Sequence, residues 1–116
     1  MSDLILYQKV YDFLVWCFNK TDGFPKSKRF SIGRRLEDDL LDLIILIYRH
    51  QYIKKNRDKN IRAISMKFDG IKLLLKICYD TRLIAHNSFA YASGQCDEIG
   101  AMIGGIIKSL EKSGSD

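Results

Sequence analysis

Four long stretches of this sequence repeat apolar residues every three or four positions, and short polar breaks separate them. That spacing places the apolar side chains along one face of an α-helix, and such a face must be buried against other helices. The chain has a single proline, Pro25, and no strong hairpin signal, so the sequence gives little support for strands. We therefore predict an all-α fold.

The first two helices meet at a short break. The first helix spans about residues 3–22 and ends at residues 23–25, because glycine accepts a left-handed C-terminal conformation and proline disfavours helix in the residue before it. The second helix takes Ser27 or Ser31 as its N-cap, since a serine hydroxyl can accept a hydrogen bond from a free backbone N–H. It continues to about Ile53.

The last two helices follow a polar linker that is rich in lysine. Asn56 or Asp58 caps the third helix, which runs to about Leu83, and the fourth helix opens near Asn87 or Ser88. Connections this short force neighbouring helices to run antiparallel. The sequence therefore predicts an up-down-up-down antiparallel four-helix bundle.

This bundle is expected to form a single domain over residues 1–116. Each helix contributes one apolar face to its core. The predicted core residues are Tyr7, Val10, Leu14 and Cys17 or Phe18 in the first helix; Ile32, Leu36, Leu40, Leu43, Ile44 and Ile47 in the second; Ile61, Ile64, Phe68, Ile71, Leu75 and Cys78 in the third; and Phe89, Ala92, Cys96, Ile99, Ile103 and Leu110 in the fourth.

The third helix has more apolar surface than one core can use. Met66, Leu73 and Ile77 lie within about 40° of each other on a helical wheel and point away from the core face. A weaker outward set on the second helix consists of Phe30, Leu41, Ile45 and Tyr48. These faces predict a homo-oligomer whose interface includes Met66, Leu73 and Ile77, with scattered surface apolar residues as the alternative.

Four glycines interrupt the fourth helix, at Gly94, Gly100, Gly104 and Gly105. Each costs about 0.8 to 1 kcal/mol relative to alanine inside a helix. Close approach of a neighbouring backbone along this strip would offset that cost, and a flexible hinge is the alternative.

Positive charge is concentrated in two segments. Residues 25–35 carry five bases and no acid, and residues 54–76 carry eight bases and two acids. Because the formal net charge of the chain is only +5, the rest of the chain is acidic. Such segregation predicts a basic face for a polyanion, with a solvated charged surface as the alternative.

Lysines and arginines along one face neutralise phosphates without reading bases, so these cations are candidate nucleic-acid contacts. The cations of the third helix fall mostly in an arc of about 140° on a helical wheel. Those at the start of the second helix oppose its dipole, a cost that either a bound phosphate or screening by water would reduce. The candidates are Lys26, Lys28, Arg29, Arg34, Arg35, Lys54, Lys55, Lys59, Arg62, Lys72 and Lys76.

The tyrosines offer a second means of contact with nucleic acid. Tyr48, Tyr52, Tyr79 and Tyr91 could stack on unpaired bases. Half-buried packing residues are the alternative reading of the same spacing.

Catalytic and metal-binding patterns are missing from the sequence. The only carboxylate cluster is Glu37, Asp38, Asp39 and Asp42. Arg34 stands four residues before Asp38 and Arg35 four before Asp39, which favours surface ion pairs over a metal site. The two histidines complete no Glu-x-x-His motif, and no Gly-rich phosphate loop is present. We expect no enzyme activity, no metal and no cofactor.

The three cysteines, Cys17, Cys78 and Cys96, are odd in number and form no C-x-x-C pair. They are expected to be small core residues of a cytoplasmic protein. The longest apolar run is interrupted by Asp42, and no export signal is visible, so we expect no contact with a membrane.

Two blocks of the sequence resemble the accessory variability determinant (Avd) family of diversity-generating retroelements, and the likeness covers about residues 11–110. The first block consists of Tyr11-Asp12, Trp16, Asn19, Phe24-Pro25-Lys26, Arg29-Phe30, Gly33 and Arg35-Leu36-Glu37. The second block consists of Asp97-Glu98-Ile99-Gly100 and Met102-Ile103-Gly104-Gly105. Four-helix proteins encoded in ribosomal RNA intervening sequences share the fold and part of the first block.

The resemblance implies a homopentamer without catalytic activity, which binds the reverse transcriptase of the retroelement and its template RNA and supports mutagenic cDNA synthesis. It implies that Arg29 and Arg35 contact nucleic acid or polymerase, and that Lys26 occupies a basic position of the family. Arg34 stands where the family often has a neutral polar residue, so its role depends on charge alone. Ile106 stands where a tryptophan is common.

The alternative function belongs to a different class. In that reading the chain is a stand-alone helical scaffold or interaction module, of the kind encoded in ribosomal RNA intervening sequences. Its outward residues Met66, Leu73 and Ile77 would bind a protein partner, and its charge would serve solubility.

Overall fold

The computed structural model describes residues 2–113, and within them all regular structure is helical. The helices are α1 (Ser2–Thr21), the single turn α2 (Lys26–Lys28), a π-helix (Arg29–Gly33), α3 (Arg34–Tyr52), α4 (Arg57–Asp80) and α5 (His86–Ser113). Because α2, the π-helix and α3 follow one another without a break, they form one long helix. The predicted all-α fold with four long helices is confirmed.

Side-chain contacts show that neighbouring helices run antiparallel. Between α1 and α3, Thr21 bonds to Glu37 at one end, and the Tyr7 and Tyr48 rings meet toward the other. Between α1 and α5, the Trp16 ring contacts Tyr91, and Lys9 pairs with Glu98 further along the seam. Arg62 pairs with Glu111 between α4 and α5, and Lys67 joins α4 to Asp39 on α3. These contacts give the predicted up-down-up-down topology.

One apolar core runs through the bundle, and α4 supplies its most regular face. All six core residues predicted on α4 are buried, because their spacing follows the helical repeat without interruption. On α1 the buried set also includes Leu6 and Phe13, whereas the predicted residues Tyr7 and Phe18 are only half-buried. Ile106 on α5 is buried as well and was not predicted.

The predicted N-caps of the second helix are wrong. The helix begins at Lys26 directly after Pro25, and no side chain caps it. Ser27 is inside the first turn, and the Ser31 hydroxyl donates back to the Ser27 carbonyl oxygen at 2.9 Å. Proline already has a φ compatible with a helix start, so the chain turns into the helix earlier than the serines indicate.

The two ends of α4 also differ from the prediction. Asn56 precedes α4 as predicted, but its backbone is left-handed (φ 56°) and its side chain makes no capping bond. At the other end, α4 stops at Asp80 rather than Leu83, because Arg82 takes a left-handed φ of 65°. The Leu83 N–H then donates to the Cys78 carbonyl oxygen and closes the helix end.

The outward apolar residues are exposed, as predicted. On α4, Met66, Leu73 and Ile77 are 76%, 62% and 38% exposed. The outward set of the second long helix, Phe30, Leu41, Ile45 and Tyr48, is exposed too. Within residues 2–113, no helix is both long enough and apolar enough to cross a bilayer.

The glycines of α5 do not serve close packing inside the protomer. A Cβ added at Gly94, Gly104 or Gly105 would meet no other atom within 4 Å, and at Gly100 it would make only an ordinary contact with the Phe68 ring. The predicted close approach of a neighbouring backbone is therefore wrong for the single protomer. These glycines instead leave a smooth strip on α5.

The three cysteines are buried and free, in agreement with the prediction. Burial raises the pKa of the Cys78 and Cys96 thiols to about 11 and raises that of Cys17 further. Because the thiolate is the reactive form, we expect all three to react with a disulfide reagent far more slowly than free cysteine near pH 8.5. In denaturant all three should react at once. Rapid reaction of one thiol in the folded protein would contradict this expectation.

Candidate nucleic-acid interface

The π-helix is built around a contact between Phe24 and Gly33. The Phe24 ring is buried beneath the helix, and a Cβ added at Gly33 would lie 3.3 Å from that ring and 3.3 Å from the Lys28 carbonyl oxygen. Glycine is thus needed here for space, since its backbone is in the ordinary helical region. A π-helical turn often occurs at functional sites, and this one lies inside the most basic segment of the chain.

The same contact yields a matched pair of stability predictions. We expect Gly33→Ala to lower the free energy of unfolding by about 1 kcal/mol or more, because the added methyl group presses on a backbone carbonyl. Gly94→Ala should raise it by up to about 1 kcal/mol, because the methyl group meets open space and alanine favours the helix. Urea unfolding followed by circular dichroism measures both, and effects of equal sign would contradict the packing described here.

Four cations of this segment form no ion pair with any described residue: Lys26, Lys28, Arg29 and Arg34. We call them the first basic cluster. They lie within about 12 Å along the helix axis. Arg29 is half-buried with its guanidinium 5.5 Å from the Phe30 ring, a favourable cation–π distance, and the other three are exposed. The cluster therefore presents uncompensated positive charge at one end of the bundle.

Two of the neighbouring carboxylates, Asp39 and Asp42, are engaged elsewhere. Arg35 pairs with Asp39 at 3.2 Å, as predicted, and Lys67 on α4 lies 3.6 Å from Asp39 and from Asp42. The predicted pair of Arg34 with Asp38 is not formed within the described chain. These acids hold α3 to α4 and leave the first basic cluster free.

The predicted basic stripe on α4 is largely neutralised. Arg62 pairs with Asp58 at 3.1 Å and with Glu111 at 2.6 Å. Lys72 pairs with Asp69 at 3.4 Å, and Lys76 pairs with Asp80 at 2.8 Å. Exposed pairs such as these stabilise little, but they cancel the charge that a phosphate would meet. The continuous stripe expected from the helical wheel is therefore wrong.

The predicted stripe also includes Lys54 and Lys55, but these residues lie in the turn before α4. Together with Arg49 and Lys59 they form a second basic cluster, all four of whose side chains are exposed and outside any ion pair in residues 2–113. Sequence reasoning missed Arg49, although one signal was available. No acid occurs between Asp42 and Asp58.

The two basic clusters lie at opposite ends of the bundle. The long helix from Lys26 to Tyr52 separates them, and 27 residues of helix span about 40 Å. The molecule measures 47 Å along its longest axis, so the clusters are near its two tips. The structure therefore provides two basic surfaces instead of the single face that the sequence predicts.

Of the four tyrosines considered as stacking residues, two are packing residues. Tyr79 is half-buried and stacks on Phe89 with ring centroids 4.3 Å apart. Tyr91 leans on the Trp16 ring at 5.0 Å. Tyr48 and Tyr52 are more exposed and lie beside the second basic cluster.

The arrangement of these elements defines a class of protein: a four-helix bundle with uncompensated cations at both tips. Among the described residues, no group of three or more histidine, cysteine or acidic side chains could hold a metal ion. The chain matches the bAvd-like family over residues 4–110, and it belongs to that family.

The fold is shared with a solved structure. A protein with unknown function from the S23 ribosomal protein family of Bacteroides thetaiotaomicron superimposes with a TM-score of 0.83 at 14% sequence identity. The match covers 93% of this chain and 99% of that one. No curated protein matches the sequence.

Proposed function

We propose that this protein is a non-catalytic accessory subunit of a diversity-generating retroelement, which binds the template RNA and the reverse transcriptase of that element in the cytoplasm. Membership of the bAvd-like family supports the proposal. The observation that carries it is the first basic cluster, where Lys26, Lys28, Arg29 and Arg34 have no acidic partner among the described residues. Cations held in this way are available to phosphates.

Binding through such cations has a diagnostic dependence on salt. Each phosphate that the protein neutralises releases a condensed counterion, so the logarithm of the affinity falls linearly with the logarithm of the salt concentration. Filter binding of a structured RNA should lose orders of magnitude in affinity between about 50 and 200 mM salt. Affinity that is absent, or independent of salt, would contradict the proposal.

The polymerase is the proposed protein partner of the same subunit. Its template-primer duplex is a polyanion, and an accessory that holds phosphates beside the polymerase would keep the template from leaving. Co-purification with a tagged reverse transcriptase tests this contact. We expect capture to persist after nuclease treatment, because the polymerase itself binds the accessory. If nuclease treatment abolishes the capture, the protein binds RNA but not the polymerase.

Self-association completes the proposed architecture. Met66, Leu73 and Ile77 expose a continuous apolar face on α4, and burying it in a homo-oligomer, with a pentamer as the expected state, removes that area from water. Light scattering should give a multiple of the 13.4 kDa chain mass. Leu73→Asp should reduce that mass, since an aspartate in an apolar interface is strongly unfavourable.

One observation favours a second candidate. The same exposed face would equally suit a stand-alone scaffold that binds a protein partner, and the fold is shared with a protein of the S23 ribosomal family. A monomer in light scattering, together with no measurable affinity for RNA, would support this candidate over the first.

A further inference from the structure

Tyr48 and Tyr52 end α3 with their rings open to solvent. They are 53% and 68% exposed, and their ring centroids are 4.9 Å apart at an angle of 54°. Tyr48 also contacts the Tyr7 ring of α1, with centroids 6.4 Å apart. The pair is therefore supported on one side by the bundle, while the outer ring, Tyr52, keeps a free face.

The surroundings of these rings are positively charged. The chain from residue 43 to residue 57 contains four bases and no acid. Arg49 lies between the two tyrosines in sequence, and Lys55 follows them in the turn; both are exposed. Lys54 donates from Nζ to the Gln51 carbonyl oxygen at 3.1 Å, which keeps its charge close to the end of α3.

Phe30, at the opposite tip, is also exposed among cations, but it is a single ring, and the other aromatic residues lack the combination. Tyr79 is covered by Phe89. Tyr91 is 49% exposed beside Trp16, but no lysine or arginine occurs between Arg82 and Lys108 in its part of the sequence. Tyr11 is exposed on α1 and its ring contacts the other side of Tyr7 at 6.1 Å, but an acid, Asp12, follows it directly in sequence. An acid beside the ring repels phosphate, so Tyr11 serves as a matched control.

We infer that Tyr48 and Tyr52 form a stacking platform for unpaired nucleotides, with Arg49, Lys54 and Lys55 holding the adjoining phosphates. Proteins bind single strands by this combination, in which cations follow the backbone and bases stack on aromatic rings. The stacking is tolerant of sequence, because every base has a π-face. The inference rests on the proposed function, since it assigns the single-stranded part of the bound RNA to this tip.

Charge selects RNA over a protein partner as the occupant. An apolar protein interface is depleted of lysine at its centre, whereas Lys54 and Lys55 follow the exposed rings directly. An RNA strand whose bases stack on the rings brings its phosphates next to the lysines. Those phosphates neutralise the lysine charges.

The test compares two RNA probes by fluorescence anisotropy: a single-stranded oligoadenylate and a blunt RNA duplex, each about 20 nucleotides long. We expect Tyr52→Ala to weaken binding of the single strand by about 5-fold or more and to leave binding of the duplex unchanged. The double variant with Tyr48→Ala should lose more. Tyr52→Phe, which keeps the ring, should bind like the wild type, and Tyr11→Ala should have no effect.

Several results would overturn the platform. Equal loss on both probes, or equal loss in the alanine and phenylalanine variants, would exclude stacking. If Tyr52→Ala lowers the mass in light scattering but not the RNA affinity, the rings are a protein contact. If Arg29→Glu weakens duplex binding while Tyr52→Ala changes nothing, the proposed function holds and the platform fails. If the wild-type protein binds neither probe, both the proposed function and the stacking platform are wrong.

Discussion

Replacing Arg29 and Arg34 together by glutamate should weaken binding of structured RNA by one to two orders of magnitude at about 100 mM salt. Both residues belong to the first basic cluster and pair with no acid in the described chain. The double variant removes two phosphate contacts and adds two repulsive charges. The slope of log affinity against log salt should fall by about 1.5 to 2 for the same reason.

A matched control separates this local effect from net charge. Lys108 and Lys112 are exposed on α5, at the other end of the bundle, and reversing both changes the net charge by the same amount. That variant should lose less than about 3-fold in affinity for a blunt RNA duplex, which the platform at that tip does not bind. Equal losses in the two double variants would mean that only total charge matters. Arg35 is a poor choice for this test, because a glutamate there would face Asp39.

Phe68→Ala should cost about 3 to 5 kcal/mol of folding free energy. The ring is buried at the centre of α4, it faces Gly100 on α5, and the Lys72 ammonium lies 5.3 Å from its centroid. A chain of this size has a total stability of about 6 to 17 kcal/mol, so the variant loses a large share of it. Urea unfolding should show a lower midpoint with an unchanged slope.

Phe30→Ala is the control for this prediction, since it removes the same side chain from the surface. Phe30 is exposed in the π-helix and touches the Arg29 guanidinium, so its loss should change stability by less than about 0.5 kcal/mol. If the two variants lose similar stability, the core assignment of Phe68 is wrong. Circular dichroism before unfolding should show the same helicity in both.

Sequence reasoning located the core best where the apolar repeat follows the helical period without interruption. On α4 the repeat from Ile61 to Cys78 is unambiguous, and all of its predicted members are buried. On α1 apolar residues occur on almost every side, so the period could not distinguish Leu6 and Phe13 from Tyr7. The burial of Ile106 could have been predicted, since Ile106 follows the core residue Ile103 by three positions.

The candidate site was less accessible from sequence, because ion pairing is a tertiary property. Nothing local indicates that Arg62 meets Glu111, 49 residues away, or that Lys67 meets Asp39. The π-helix depends on the contact between the Phe24 ring and Gly33. The spacing of apolar residues in the sequence does not show this contact. The concentration of bases in residues 25–35 was visible in the sequence, and there the charge stays uncompensated apart from Arg35.

The distance between the two basic clusters has a simple electrostatic consequence. At physiological ionic strength a charge is screened over about 8 Å, and even the nearest members of the two clusters, Arg34 and Arg49, are about 22 Å apart along the helix. A polyanion seated on one tip leaves the potential at the far tip unaltered. Under the proposed function, nucleic-acid segments bound at the two tips would therefore not compete through their charges.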